Sequence, residues 1–226
     1  MTIIRSGRAA GTITGVDLSQ WQDGLDPAAI AAAGHRFAIV RACDGDHADP
    51  AFLRQAGESV AAGLHLGAYW YLRHPDEGSA LAEQADAVAA QLARLGAGPR
   101  PGVWLDCETR PRLTAGQVRL AAGLLAERGV ACAGMYASRS YWRLRRMPRI
   151  GGLWLAEWPG DPEPPAYPGD EHPAWRPVHG VRPDLWQYTD RGRIDGFRVD
   201  LSAFPAGSGG EPALARLLAG RLAERS

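Results

Sequence analysis

The sequence predicts an α/β chain closed into one barrel, with helices between its early strands and little but strand at its end. Three observations point there. Short β-branched or aromatic runs alternate with Ala/Leu-rich stretches of helical period through the first half of the chain, the pattern of repeated βα units. The alternation then fails, because residues 159–183 hold eight prolines and proline removes the donor a helix needs. Acidic residues stand at or near the C-terminal ends of four of the strand-like runs, where a barrel of parallel strands gathers its chemistry.

The strand segments are 13–17, 37–41, 66–71, 103–108, 132–136, 153–157, 184–188 and 197–200. Helices are expected over 27–33, 50–62, 79–95 and 114–128, several preceded by Asp, Ser or Thr as caps and followed by Gly34, Gly63, Gly96 and Gly129 as stops. The basic residues Arg139, Arg143, Arg145, Arg146 and Arg149 are read as a solvated helix face, with contact to an anionic surface as the alternative. Residues 205–212 read as a flexible linker, and Leu214, Leu217, Leu218 and Leu222 mark a short amphipathic helix that packs on the barrel. The expected organisation is therefore a single barrel domain over 1–204, followed by a linker and helix over 205–226 that are too short for a separate wall-binding domain.

Composition narrows the function. The 25 basic residues, all arginine, balance 25 acidic ones, so no basic face calls for a nucleic-acid partner. Cys43, Cys107 and Cys132 lack the CxxC spacing of zinc or redox sites, and the six histidines form no paired-ligand spacing, so neither a metal nor a cofactor is expected. No apolar run reaches the ~18 residues of a bilayer span, and no Sec-type signal is visible at the N-terminus. No GxSxG elbow, P-loop or GxGxxG follows a strand.

The strand ends carry Asp17, Asp106 with Glu108, Glu157 and Asp200. In WLDCE at 104–108 the period of two puts Trp104, Asp106 and Glu108 on one face, with the two carboxyl-bearing Cα atoms about 6.5 to 7 Å apart. Crowded carboxylates raise one another's pKa, which suits an enzyme that needs one acid and one carboxylate near neutral pH. An arginine-paired structural network, for instance with Arg41, is the competing reading. Tyr69, Tyr136, Trp158 and Trp186 lie at or near strand ends, where aromatic rings suit the apolar faces of sugars.

These segments resemble the glycoside hydrolase family 25 lysozymes, the muramidases of Chalaropsis and phage-endolysin type. The resemblance runs from about Gly15 to Phe204 in family order: GVDLSQWQ at 15–22, FAIVRACDG at 37–45, GLHLGAYWY at 63–71, WLDCE at 104–108, GMYAS at 134–138, LWLAEW at 153–158 and WQYTDRGRIDGFRVDLSAF at 186–204. It implies an irregular TIM-like (βα)5(β)3 barrel and cleavage of the β-1,4 bond between N-acetylmuramic acid and N-acetylglucosamine in bacterial peptidoglycan. The acidic centre then falls on Asp17, Asp106, Glu108 and Asp200. Two departures stand out, Cys43-Asp44-Gly45 where the family has Thr-Glu-Gly, and Asp200-Leu201-Ser202 where it has Asp-x-Asn. Asp44 is the residue expected at the cleft floor.

With Glu108 as general acid and the substrate's own N-acetyl group beside the reacting carbon, a retaining, substrate-assisted route with Asp106 as orienting residue is expected. The Pro-rich segment is expected to wall the groove, with Tyr167 and Trp175 as sugar contacts and anchoring of the loop as their other role. A glycan-binding or structural barrel without activity, in a phage particle or secretion apparatus, is the alternative of a different class. A chitin-cleaving glycosidase is a third. The protein is expected to be a monomer without stable membrane insertion, made in the cytoplasm and acting on the wall, as a phage lysin released through holin or as a virion component.

Overall fold

The computed structural model describes residues 11–96, 98, 100–159 and 166–221. The strands are β1 (Ile13–Leu18), β2 (Phe37–Asp44), β3 (His47–Ala48), β4 (His65–Tyr71), β5 (Val103–Asp106), β6 (Cys132–Ser138), β7 (Gly152–Ala156), β8 (Leu185–Ile194) and β9 (Phe197–Phe204). The helices are α1 (Pro27–Ala32), α2 (Phe52–Ala61), α3 (Leu81–Ala93), α4 (Ala115–Glu127) and α5 (Gly210–Leu218). Pairing runs in the order β1-β9-β8-β7-β6-β5-β4-β2 and closes through β1–β2, with the two-residue β3 appended to β2. The result is a single-domain α/β fold around a closed eight-stranded mixed barrel.

Local chemistry sets the helix ends. Asp26 caps α1 by accepting from Ala28 N–H, with Pro27 in the first turn, and Thr114 and Gln117 form a capping box on α4. Gly34 and Gly129 follow α1 and α4 at φ 89° and 70°, a conformation that a side chain would strain.

Every barrel pairing is parallel except those of β9, which runs antiparallel to both β8 and β1. The expectation that all strands point one way is corrected here. β8 and β9 are joined only by Asp195 and Gly196, the former at φ 48° and the latter at φ 83°. So short a connection makes a hairpin, whereas a parallel neighbour needs a crossover of a dozen residues or more.

The same rule explains the Pro-rich segment. β7 and β8 are parallel, so the chain must return from the top of one to the bottom of the other, and among the described residues of this return there is only the single 3-10 turn Pro173–Trp175. Its described part, 166–183, packs on the outside of the barrel. Tyr167, His172 and Trp175 close on Trp186, His172 stacking on it at 4.9 Å and 12°. Asp170 accepts from Thr12 at the bottom of β1 and from Ala206 N–H. The described part of the segment is thus a crossover strap, and the groove wall expected of it is not found there; residues 160–165 lie outside the described residues.

Residues 139–151 form turns, and the expected basic helix face is absent from them. Arg139 staples this connection instead, donating to Glu157 at 2.5 Å and to the carbonyl of Ala174 at 2.8 Å.

Side chains alternate across each strand, giving two apolar clusters. The outer one lies between the barrel and α1 to α4. The inner one fills the lumen with Phe37, Ile39, Trp104, Trp154, Leu185 and Phe204, joined by Leu214, Leu217 and Leu218 of α5. Helix α5 starts at Gly210, earlier than the sequence suggests, and it closes the N-terminal end of the barrel. Gly102 N–H donates to Leu218 O at 2.7 Å. Leu222 lies outside the described residues.

Candidate active site

The top of the lumen opens into a cleft of about 410 Å³. The residues around it come from all eight barrel strands: Asp17 (β1), Arg41 and Asp44 (β2), Tyr69 and Tyr71 (β4), Asp106 (β5), Tyr136 (β6), Trp154 (β7), Gln187 (β8) and Asp200 (β9), with Glu108 just past β5. In β5 the expected period of two holds. Trp104 packs in the lumen, Leu105 in the outer cluster, and Asp106 lines the cleft.

Asp200 reaches the site by another route than a parallel strand end. It stands inside β9, directly opposite Asp17 in the antiparallel register. Two carboxyl groups facing each other across a strand pair repel when ionised. Burial, and then Asp200, push Asp17 well above the usual carboxylate range. Burial followed by the nearby Asp190 raises Asp200 to about 6. Asp106 is raised chiefly by burial and next by Glu108, while Glu108 itself is raised by burial.

Among the described residues no arginine forms an ion pair with this group. Arg41, the residue proposed for that role, donates through Nε to the fully buried Asp49 at 2.7 Å; Asp49 also accepts from the backbone N–H groups of Gln20 and Ala51. Arg73 is held by Asp44 in a two-pronged pair of 2.6 and 3.0 Å and by Glu77 at 3.0 Å. The shortened Asp44 therefore lies at the cleft as expected, with both carboxylate oxygens engaged by a guanidinium. Asp106 is only 5% exposed, and its Oδ1 has no hydrogen-bond partner among the described residues.

Of the aromatic residues expected to meet sugar, Tyr69 and Tyr136 line the cleft. Trp158 is half exposed at its rim and donates to Gln187 Oε1 at 3.0 Å. Trp186 does not line it. Along β8, Leu185 and Gln187 face the lumen, so Trp186 faces out and is fully buried under the strap, its indole N–H bonded to Glu157 O at 2.7 Å. Tyr167 and Trp175 are buried in that same cluster, joined by a Trp175 Nε1 to Tyr167 Oη bond of 3.0 Å. Their role here is anchoring. Glu157 lies outside the acidic centre, paired with Arg139.

Sequence reasoning missed Trp21 and Gln187. Trp21 is 75% exposed at the mouth, in the turn Gln20–Gln22 whose start is capped by Ser19 with Gln22. An exposed tryptophan beside strand β1 was visible as SQWQ but had no periodicity to mark it. Gln187 could have been found from the alternation of β8. Among the described residues no group of three or more His, Cys, Asp or Glu is placed to hold a metal ion, and no helix is long and apolar enough to cross a membrane.

Comparison with known proteins agrees with this geometry. The sequence is 28% identical to Lysozyme M1 of Streptomyces globisporus over 207 residues, 84% of this chain and 66% of that protein. It is 27% identical to the uncharacterized protein YegX of Escherichia coli K12 over 210 residues, 87% of this chain and 71% of that protein. In fold it is similar to a bacterial lysozyme from Streptomyces coelicolor, with a TM-score of 0.67 at 24% identity covering 93% and 98% of the two chains. A family 25 lysozyme from Aspergillus fumigatus gives 0.65 at 22% identity over 92% and 100%. The family profile of glycosyl hydrolases family 25 matches residues 16–197, a span that takes in Asp17, Asp106 and Glu108 and stops just short of Asp200. With most of the barrel inside that match, the chain belongs to glycosyl hydrolases family 25.

Proposed function

We propose that the protein is a muramidase that hydrolyses the β-1,4 bond between N-acetylmuramic acid and N-acetylglucosamine in peptidoglycan, with net retention. The observation that carries the reading is the pair Asp106 and Glu108, both facing the cleft, both raised by burial and neither joined to an arginine. Two such groups hold a proton more tightly than ordinary carboxyl groups do, and the deeper Asp106 competes with Glu108 for it. An acetamido N–H donated to the Asp106 carboxyl group favours its ionised form and leaves the proton on Glu108, where general acid catalysis needs it.

Glu108 then protonates the glycosidic oxygen as the bond to C1 breaks. The acetamido oxygen closes on C1 from the opposite face, and the ionised Asp106 orients its N–H and stabilises the positive charge of the ring so formed. Water then attacks C1 as Glu108 takes its proton, the bond from C1 to the acetamido oxygen breaks to restore the acetamide, and Glu108 is again the acid. The exposed face of Trp21 and the phenols of Tyr69 and Tyr136 are suited to a pyranose ring and its hydroxyls.

Incubation with purified peptidoglycan tests the reading. New reducing ends, with the β-anomer formed first by proton NMR, are expected. Sedimentation with the wall and no released sugar would instead make the barrel a binding module, and an α-anomer first would exclude substrate assistance.

A further inference from the structure

We propose that Gln187 is a positioning residue of this site, its amide clamping the Asp17–Asp200 carboxyl pair from one side while Trp158 and Tyr136 fix the amide from the other. The part about turnover rests on the muramidase reading; the clamp itself does not. Gln187 is 1% exposed. Its Nε2 donates to Asp17 Oδ2 at 3.0 Å and to Asp200 Oδ2 at 3.2 Å. Its Oε1 accepts from Tyr136 O–H and from Trp158 Nε1–H, each at 3.0 Å. The indole N–H can only donate, so the oxygen must face Trp158 and both amide hydrogens must face the acids.

The backbone prepares this placement. Gln187 pairs with Ser202 of β9, two residues from Asp200, and the β8–β9 register shifts immediately afterwards, between Gln187 and Thr189. Such a bulge re-aims the strand just where the clamp is made. A lysine or arginine at 187 would hold the two carboxyl groups by neutralising them. An amide holds their oxygens without adding a positive charge, so the negative charge the pair carries stays available to the positive centre that develops at C1.

The groups facing the pair are Glu108 and Asp106 from the end of β5, Tyr69 and Tyr136 from β4 and β6, Arg41 from β2, and Asp190 and Arg198 from the β8–β9 hairpin. Among these, only the phenol of Tyr136 bonds to Gln187. Removing the amide therefore takes from Asp17 and Asp200 a donor that none of these neighbours replaces.

Three variants decide the matter, measured by carboxyl carbon NMR titration of the resting protein and by kcat and KM on peptidoglycan from pH 5 to 8. Gln187→Met keeps the shape and removes every bond. It is expected to move the titration of the Asp17–Asp200 pair up by about one pH unit, the scale of a lost hydrogen bond to a charged group, and to lower kcat about tenfold with KM little changed. Gln187→Glu regains one donor when protonated, so its kcat relative to wild type should rise as pH falls, which Gln187→Met should not show. Trp158→Phe keeps a ring at the rim and frees the amide, giving a smaller kcat loss in the same direction.

An unchanged titration in Gln187→Met overturns the clamp, as does a kcat loss in Gln187→Glu with no pH dependence. Should Gln187→Met fail to fold, the titrations of Gln187→Glu and Trp158→Phe carry the same decision. A wild-type protein that releases no reducing ends ends the muramidase reading and leaves the titration to judge Gln187 alone.

Discussion

At the scale of single residues, the site is a set of carboxyl groups whose surroundings separate them. Glu108 lies beyond the end of β5 where solvent and substrate reach it, while Asp106 sits deeper, within the strand and only slightly exposed at the cleft. Glu108→Gln keeps the volume and removes the transferable proton, so kcat on peptidoglycan should fall by about two orders of magnitude or more, with wall binding retained; turnover near that of wild type would remove Glu108 from the acid role. Asp200 makes a prediction about stability. Its folded-state value of about 6 lies above the ordinary 3.8, so the folded chain holds this proton more tightly than the unfolded chain does. That stabilisation is complete below about pH 4 and is lost as pH rises through about 6. Asp200→Asn has no such loss, and calorimetry should find the Tm of the variant gaining on wild type from pH 4 to pH 7. A difference in Tm that stays level across that range would contradict the shift. Trp21 adds a third test: its side chain is exposed and supports nothing beneath it, so Trp21→Ala should raise KM several-fold and leave Tm unchanged.

At the scale of elements, alternation along a strand decides which aromatic residues meet the cleft. The period of two was applied to β5 and placed Asp106 correctly. Applied to β8 it puts Gln187 inward and Trp186 outward, the reverse of an expectation based on aromatic residues near strand ends. The strap of residues 166–183 explains where Trp186 goes. A parallel crossover has to cover the outer face of β8, and in its described part Tyr167, His172 and Trp175 do so with ring contacts of 4.9 to 5.8 Å. Trp175→Ala should therefore reduce stability by about 3 to 5 kcal/mol, the usual range for a buried Trp, and leave KM unchanged. Urea unfolding and steady-state kinetics on one preparation separate this from a sugar-binding role, for which KM would rise at constant stability.

At the scale of the whole molecule, the barrel is closed at one end and open at the other. Leu214, Leu217 and Leu218 enter the same apolar cluster as Trp104 and Trp154, and these tryptophans form the layer beneath the carboxyl groups, with ring centroids 5.9 Å apart. The C-terminal helix thus supports the floor of the cleft from below without touching it. Leu217→Ala should lower stability by about 2 to 5 kcal/mol, read from chemical denaturation, with kcat little affected while the protein stays folded. A stability equal to wild type would show that α5 is held loosely.

The sequence alone determined much of this. Eight runs of strand-forming residues, four helical stretches with glycine stops and several with caps, and the Asp-x-Glu of β5 are local patterns, governed by backbone sterics, side-chain period and hydrogen bonding over a few residues. They gathered Asp17, Asp106, Glu108, Glu157 and Asp200 at strand ends, and the resemblance to the family 25 lysozymes singled out Asp17, Asp106, Glu108 and Asp200 as the centre. Tertiary structure decided the rest, because it depends on residues far apart in the chain. Arg41 faces the same cleft as the acids, and the fold gives its ion pair to Asp49 instead of to them. The direction of β9 sets Asp200 opposite Asp17, since only a closed sheet brings the last barrel strand beside the first. The clamp of Gln187 unites β1, β6, β9 and Trp158 through contacts spanning 13 to 170 positions, and no short-range pattern records a bond whose partners meet only when the barrel closes.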